Sequence, residues 1–149
     1  MSGRAGSAAV LAMAAALLVL AACGGGDGGG GADTKEGWQD KNGDLVDAYS
    51  RDLSVALNTI NQGERTATIS TCNQIIDDAK EVRSQALPVP EAAVNTPLTK
   101  AVDTGIKAAE SCLTGARNTS ARDVESAQRD FAEARKAMDE AEAAIKAWS

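Results

Sequence analysis

No histidine occurs in the 149 residues. That removes the usual general base near neutral pH, the commonest zinc ligand, and every Ser-His or Cys-His nucleophile arrangement. Catalysis would fall to carboxylates or lysine alone, and a carboxylate hydrolase would need two acids facing one groove. The chain therefore reads as a non-enzyme, with no cofactor and no metal site expected. Aromatics are scarce too: one Phe, one Tyr and two Trp make up 3% of the chain. Alanine must then do much of the core filling. Basic charge is also in deficit, with 15 Lys and Arg against 21 Asp and Glu. Nucleic acid or an acidic membrane surface is a poor partner for such a chain, because both are polyanions.

Long apolar runs are missing with one exception, the uninterrupted stretch from Ala8 to Ala22, preceded by Arg4 as the only charged residue. Its 15 residues fall short of the roughly 20 needed to span a bilayer as a helix. The length, the charged start and the small residues at the end are those of a secretory signal, residues 1–22. Leu20-Ala21-Ala22-Cys23 then resembles the lipobox of the bacterial lipoprotein class: an aliphatic residue, two small residues and a cysteine. The resemblance covers about the first 23 residues. It implies cleavage between Ala22 and Cys23, diacylglycerol on the Cys23 thiol, acylation of the new amino terminus, and anchoring at the extracytoplasmic face of the cell membrane. Two or three buried acyl chains hold a protein stably where one does so only marginally. Cleavage would remove Arg4 alone among charged residues, leaving 14 basic against 21 acidic side chains, a net of −7.

Seven of the eight residues from Gly24 to Gly31 are glycine, so residues 23–35 read as a lipidated cysteine and a flexible tether. Its reach is on the order of 20 Å for a dozen residues. Residues 36–149 read as one domain. Setting Cys23 aside leaves Cys72 and Cys112, 40 positions apart. In an exported protein such a pair reads as a disulfide, the alternative being two buried free thiols.

Four helical stripes follow, with apolar residues spaced three and four apart. The clearest is the last, from Val124 through Ala127, Phe131, Ala134, Met138, Ala141 and Ile145 to Trp148, opened by Ser120 with Asp123 in capping-box spacing. Glu125–Arg129 and Glu142–Lys146 are candidate ion pairs on its outer face. The third stripe runs from Leu98 to Ala116, with Thr96 as cap and Pro97 in the first turn, where its missing N–H costs nothing. The second carries Ile69, Cys72, Ile76, Ala79, Val82 and Ala86, between a stop at Gly63 and Leu87-Pro88-Val89-Pro90. The first carries Leu45, Tyr49, Leu53, Ala56 and Ile60, with Trp38 upstream and Asn42-Gly43 between, which points to a start as late as Asp44.

The cysteines test this layout. A third helix starting at Pro97 sets Cys112 level with Cys72 across an antiparallel pair, whereas a start at Glu91 leaves them about 10 Å out of register. A bridge tolerates Cα separations only to about 7 Å, so Pro97 is the preferred start. The expected fold is an all-α, up-down-up-down four-helix bundle with a disulfide between helices 2 and 3.

Other motifs carry less. Asp40-Lys41-Asn42-Gly43-Asp44 opens like a calcium loop, but Leu45 replaces the glycine and Arg51 the bidentate glutamate, so a polar turn is the better reading. Asp77, Asp78 and Glu81, like Asp139, Glu140 and Glu142, could receive a basic partner but read first as solvated faces. Asn118-Thr119-Ser120 matches a glycosylation sequon and reads as the turn between helices 3 and 4. Trp38 and Trp148 extend apolar stripes, which favours core closure over an exposed aromatic for a partner. The functional expectation is a non-catalytic binding or accessory module at the cell envelope, joined to the membrane through lipid on Cys23 and meeting a protein partner there. The alternative is a receptor holding a small ligand or ion between its helices, where small residues such as Gly105, Ala127, Ala134 and Ala141 could leave space.

Overall fold

The computed structural model describes residues 33–149; the expected signal segment, Ala22, Cys23 and the glycine run lie outside the described residues. Among the described residues the regular structure is four helices and no strand: α1 Lys35–Gln62, α2 Arg65–Gln85, α3 Ala92–Asn118 and α4 Ala121–Ala147. Each helix packs on its sequence neighbours, and α1 also meets α4, so the four close into a ring around one core. The contact between α3 and α4 is the most extensive and that between α1 and α4 the least.

The helix ends follow side-chain chemistry. Thr34 caps α1 by accepting from Gly37 N at 3.2 Å. Gly63 ends it in the left-handed region at φ 71°, its N–H donating to the Ile60 carbonyl. Glu64 and Glu91 cap α2 and α3 by accepting from Ala67 N at 3.0 Å and Ala93 N at 3.1 Å. Ser120 caps α4, accepting from Asp123 N at 3.4 Å, at the position its spacing indicates.

Two expected starts are corrected. Helix α1 runs straight through Asn42-Gly43 instead of beginning at Asp44. A mid-helix glycine costs about 1 kcal/mol against alanine, but an earlier start lets Trp38 be buried, a gain of roughly 1.5–3 kcal/mol for a large apolar side chain. Asn42 falls between Trp38 and Val46 on the inward face and is itself buried. The second correction concerns α3, which starts at Ala92 with Pro97 inside it rather than in the first turn. The cysteine argument assumed helices α2 and α3 end level. They do not: α2 has 21 residues, while the others have 27 or 28. The connection 86–91 runs on past the end of α2 and supplies the axial step of about 10 Å. Its Val89 is buried, with its N–H donating to Asn95 Oδ1 at 2.8 Å.

Cys72 and Cys112 therefore still meet, in a disulfide joining α2 to α3 with Cα atoms 6.4 Å apart. On α2 the inward row is turned slightly from expectation: Thr68 and Ile75 face the core, while Ile69 and Ile76 lie half-buried beside it. The small residues serve close packing. A Cβ at Gly105 would overlap the Tyr49 hydroxyl, and one at Gly115 would stand 2.8 Å from Val124 Cγ2.

Two stability measurements follow. Cys72→Ala with Cys112→Ala should lower the unfolding free energy by about 4 kcal/mol on the loop-entropy account, and an unchanged urea midpoint would contradict it. Gly105→Ala should cost about 1–3 kcal/mol by overpacking Tyr49. Gly43→Ala, with nothing within 4 Å of its added carbon, should instead gain about 1 kcal/mol; equal effects at the two glycines would show that the Tyr49 contact is not limiting.

Candidate functional site

Several sequence candidates take structural roles. The calcium-like segment from Asp40 to Asp44 is helical, so neither a metal loop nor a polar turn forms there. Trp38 is buried and its Nε1 donates to the Ala86 carbonyl at 3.0 Å. Trp148 lies half-buried against it, ring centroids 6.0 Å apart and tilted 48°. Lys35 Nζ donates to the Trp148 carbonyl at 2.5 Å, joining the start of α1 to the end of α4. The core-closure reading of the two tryptophans is the one these contacts support.

The acidic groups divide. Of the outer-face pairs expected on α4, neither Glu125–Arg129 nor Glu142–Lys146 forms. Glu142 turns to the seam with α1 and accepts from Ser50 Oγ at 2.5 Å. Arg135 donates to the Ser50 carbonyl at 2.8 Å and to Asp139 Oδ1 at 2.6 Å. On α2, Asp77 meets Lys80 in an exposed pair at 3.9 Å.

Asp78 differs from these. Its Oδ1 accepts from Gln74 Nε2 at 2.6 Å, while its Oδ2 is buried with no donor. Burial, and then a hydrogen-bonding contact with the Asp52 carboxyl of α1, push its pKa from the ordinary 3.8 up to about 6. Two acids do meet on one seam, and Asp52 carries no sequence signal that marks it.

Besides a small hollow of about 200 Å³ among Asp52, Val55, Ser70, Thr71 and Gln74, three hollows among the described residues bear on function. A shallow groove of about 840 Å³ follows the seam of α1 and α4, floored by the Ser50–Arg135–Glu142 group and rimmed by half-exposed Val55. A small hollow of about 180 Å³ lies beside Trp38, Asn42, Pro88 and Pro90. Asn42 Nδ2 donates to the Trp38 carbonyl, while its Oδ1 is buried without a donor.

The third hollow lies at the opposite end, where the α1–α2 and α3–α4 turns come together. It is an open depression of about 380 Å³, with Arg65, Thr119, Ala121 and Glu125 exposed along it. Its apolar wall includes Ile60, Gly115, Ala116, Ala121 and Val124. Arg65 and Glu125 stand among its lining residues. Arg65 Nη2 donates to the Arg117 carbonyl at 3.0 Å. Thr119, another lining residue, sits at φ 56°, a left-handed conformation that costs a β-branched residue roughly 1 kcal/mol or more. In the sequence these residues read as stops and caps, and only the folded pairing of the two turns makes a wall of them.

Comparison of the chain with protein-family models, with curated proteins and with solved structures finds no match.

The Asp52–Asp78 contact gives a pH signature. Because the native state holds the Asp78 proton up to about pH 6, the folded protein binds more protons than the unfolded chain between about pH 4 and 6. This group therefore makes stability fall as pH rises through that window and has no further effect above it. Asp78→Asn should remove this contribution to the slope and raise stability at pH 7 by about 1 kcal/mol, once solvent screening of the half-exposed pair is counted. Thermal unfolding from pH 4 to 7 checks it, and an unchanged slope in the variant would refute the pairing.

Proposed function

We propose that the chain is a lipid-anchored, extracytoplasmic module of the bacterial cell envelope that binds rather than catalyses. The observation that carries the binding reading is the apolar cavity between the two turns. Gly105 and Gly115, small residues that could have opened space between the helices, admit Tyr49 and Val124 instead.

Anchoring rests on the lipobox resemblance at Leu20–Cys23. Helix α1, 28 residues long, spans roughly 42 Å at 1.5 Å per residue. A chain held at Cys23 enters the bundle at Lys35, and the cavity lies at the other end of α1. On this reading the cavity faces away from the bilayer, where a protein partner or a diffusible ligand can reach it. The receptor alternative is supported by the same cavity, at the end of the bundle instead of midway between the helices.

The reading gives the Asp52–Asp78 pair no catalytic role. The proposal is tested by growing cells with an alkyne-bearing palmitate analogue. The wild-type chain should take up label and remain in the membrane pellet, and Cys23→Ala should do neither. Equal labelling of the two chains would overturn the anchored reading.

A further inference from the structure

We infer that the cavity at the turn end takes a single-chain anionic amphiphile, its apolar tail among Ile60, Ala116 and Val124 and its carboxylate or phosphate head on Arg65. The inference rests on the binding reading above and adds the chemical class of the ligand.

The wall is mostly apolar, with Ile60, Gly115, Ala116, Ala121 and Val124 along it. An apolar cavity of about 380 Å³ gives up little polar hydration when a hydrocarbon group enters. A chain of a dozen carbons also brings a large gain, about 0.8 kcal/mol for each methylene that is buried.

The sign of the head group follows from how the two rim charges are held. Arg65 has no carboxylate within ion-pair distance, yet its Nη2 is fixed on the Arg117 carbonyl at 3.0 Å. Its remaining N–H groups are positioned without being neutralised. Arginine presents a rigid planar fork to carboxylate or phosphate, so a guanidinium already held in place loses little further freedom on binding an anion. Glu125 has no hydrogen bond or ion pair to hold it, and recruiting it for a cation would require ordering a free side chain. Glu64, next to Arg65 in the chain, is occupied as the cap of α2, accepting from Ala67 N at 3.0 Å. The first turns of α2 and α4 and the last turns of α1 and α3 all border the cavity, so their dipoles offset one another and the sign rests on Arg65.

The test uses the full-length chain in its own membranes and a diazirine-bearing dodecanoate as probe. Photolysis should place label on residues 60–68 and 115–125. Excess dodecanoate or dodecyl phosphate should displace it, the stronger competitor telling a free fatty acid from a phosphorylated head group. Arg65→Gln should reduce labelling at sub-saturating probe by about tenfold, as expected for losing a hydrogen bond to a charged group. Ala121→Trp, at an exposed position on the cavity wall, should block it, while Glu125→Gln should leave it equal or stronger. The inference is overturned if dodecyltrimethylammonium or dodecyl maltoside displaces the probe as well as dodecanoate does. It is equally overturned if Arg65→Gln labels like wild type, or if label falls on the α1–α4 groove. Palmitate labelling at Cys23 is scored in the same cells, so a failed cavity and a failed anchor are told apart.

Discussion

Tyr49 crosses the middle of the bundle from α1 to α3, and Gly105 is the space it fills. The ring is fully buried, and the hydroxyl donates to the Ala101 carbonyl at 3.1 Å. Burial holds the phenol well above its ordinary pKa, with Asp78 and Asp103 pushing the same way against Arg83, so it stays a neutral donor. In a core otherwise rich in alanine, this single side chain sets how closely two diagonal helices can approach. The fit is unforgiving because close-packed interiors cannot absorb an added methyl without moving neighbours. Trp38 serves the same purpose nearer the start of α1, spanning to Ala86 where α2 has already ended.

Around these large residues the small ones draw helices together. Ala101, Ala108, Ala109, Ala127, Ala134, Ala137 and Ala141 are all buried, and they lie on α3 and α4, the pair in closest contact. At Gly115 the approach is near enough that a Cβ would sit 2.9 Å from the backbone nitrogen of Val124. Beyond that point the helices turn, and Ile60 and Val124 line the end without closing it. The cavity between the turns is thus a consequence of composition: a chain short of aromatics fills its middle and leaves one end open.

The fold class, the four stripes, the Gly63 stop, the Ser120 cap and the bridge of Cys72 to Cys112 were legible because each depends on spacing along one helix or between two. The starts of α1 and α3 were not, for different reasons. At Asn42-Gly43 a local turn preference yields to burial of Trp38, which sequence alone does not weigh. At Pro97 the preference for a first-turn proline yields to a cap at Glu91 and to the buried Val89 connection, and the register argument went astray by assuming helices of matched ends. The cavity and the Asp52–Asp78 contact were legible only in part, since each joins residues from two helices whose rotation about their axes must be known to within a fraction of a turn. Asp78 was picked out as one of a cluster on α2, but its partner stands on α1. That same small rotation separates Ile75 from Ile76 in the core.

The ring is not held equally all the way round. A disulfide and the Arg83–Asp103 pair join α2 to α3, and Lys100–Glu133 at 2.9 Å and Lys107–Asp130 at 3.1 Å join α3 to α4. Exposed ion pairs of this sort contribute about 0–1 kcal/mol each, so the disulfide and the alanine packing give that side its cohesion. Between α1 and α4 the contact is thinnest, and the polar group of Ser50, Arg135 and Glu142 takes the place of an apolar seam. Such a group holds only while each member keeps its partners, because a half-satisfied network costs more than it returns. The bundle therefore has least to lose by opening along the α1–α4 seam. The turn cavity draws instead on the ends of all four helices, and its shape stays coupled to the tightly packed α3–α4 pair.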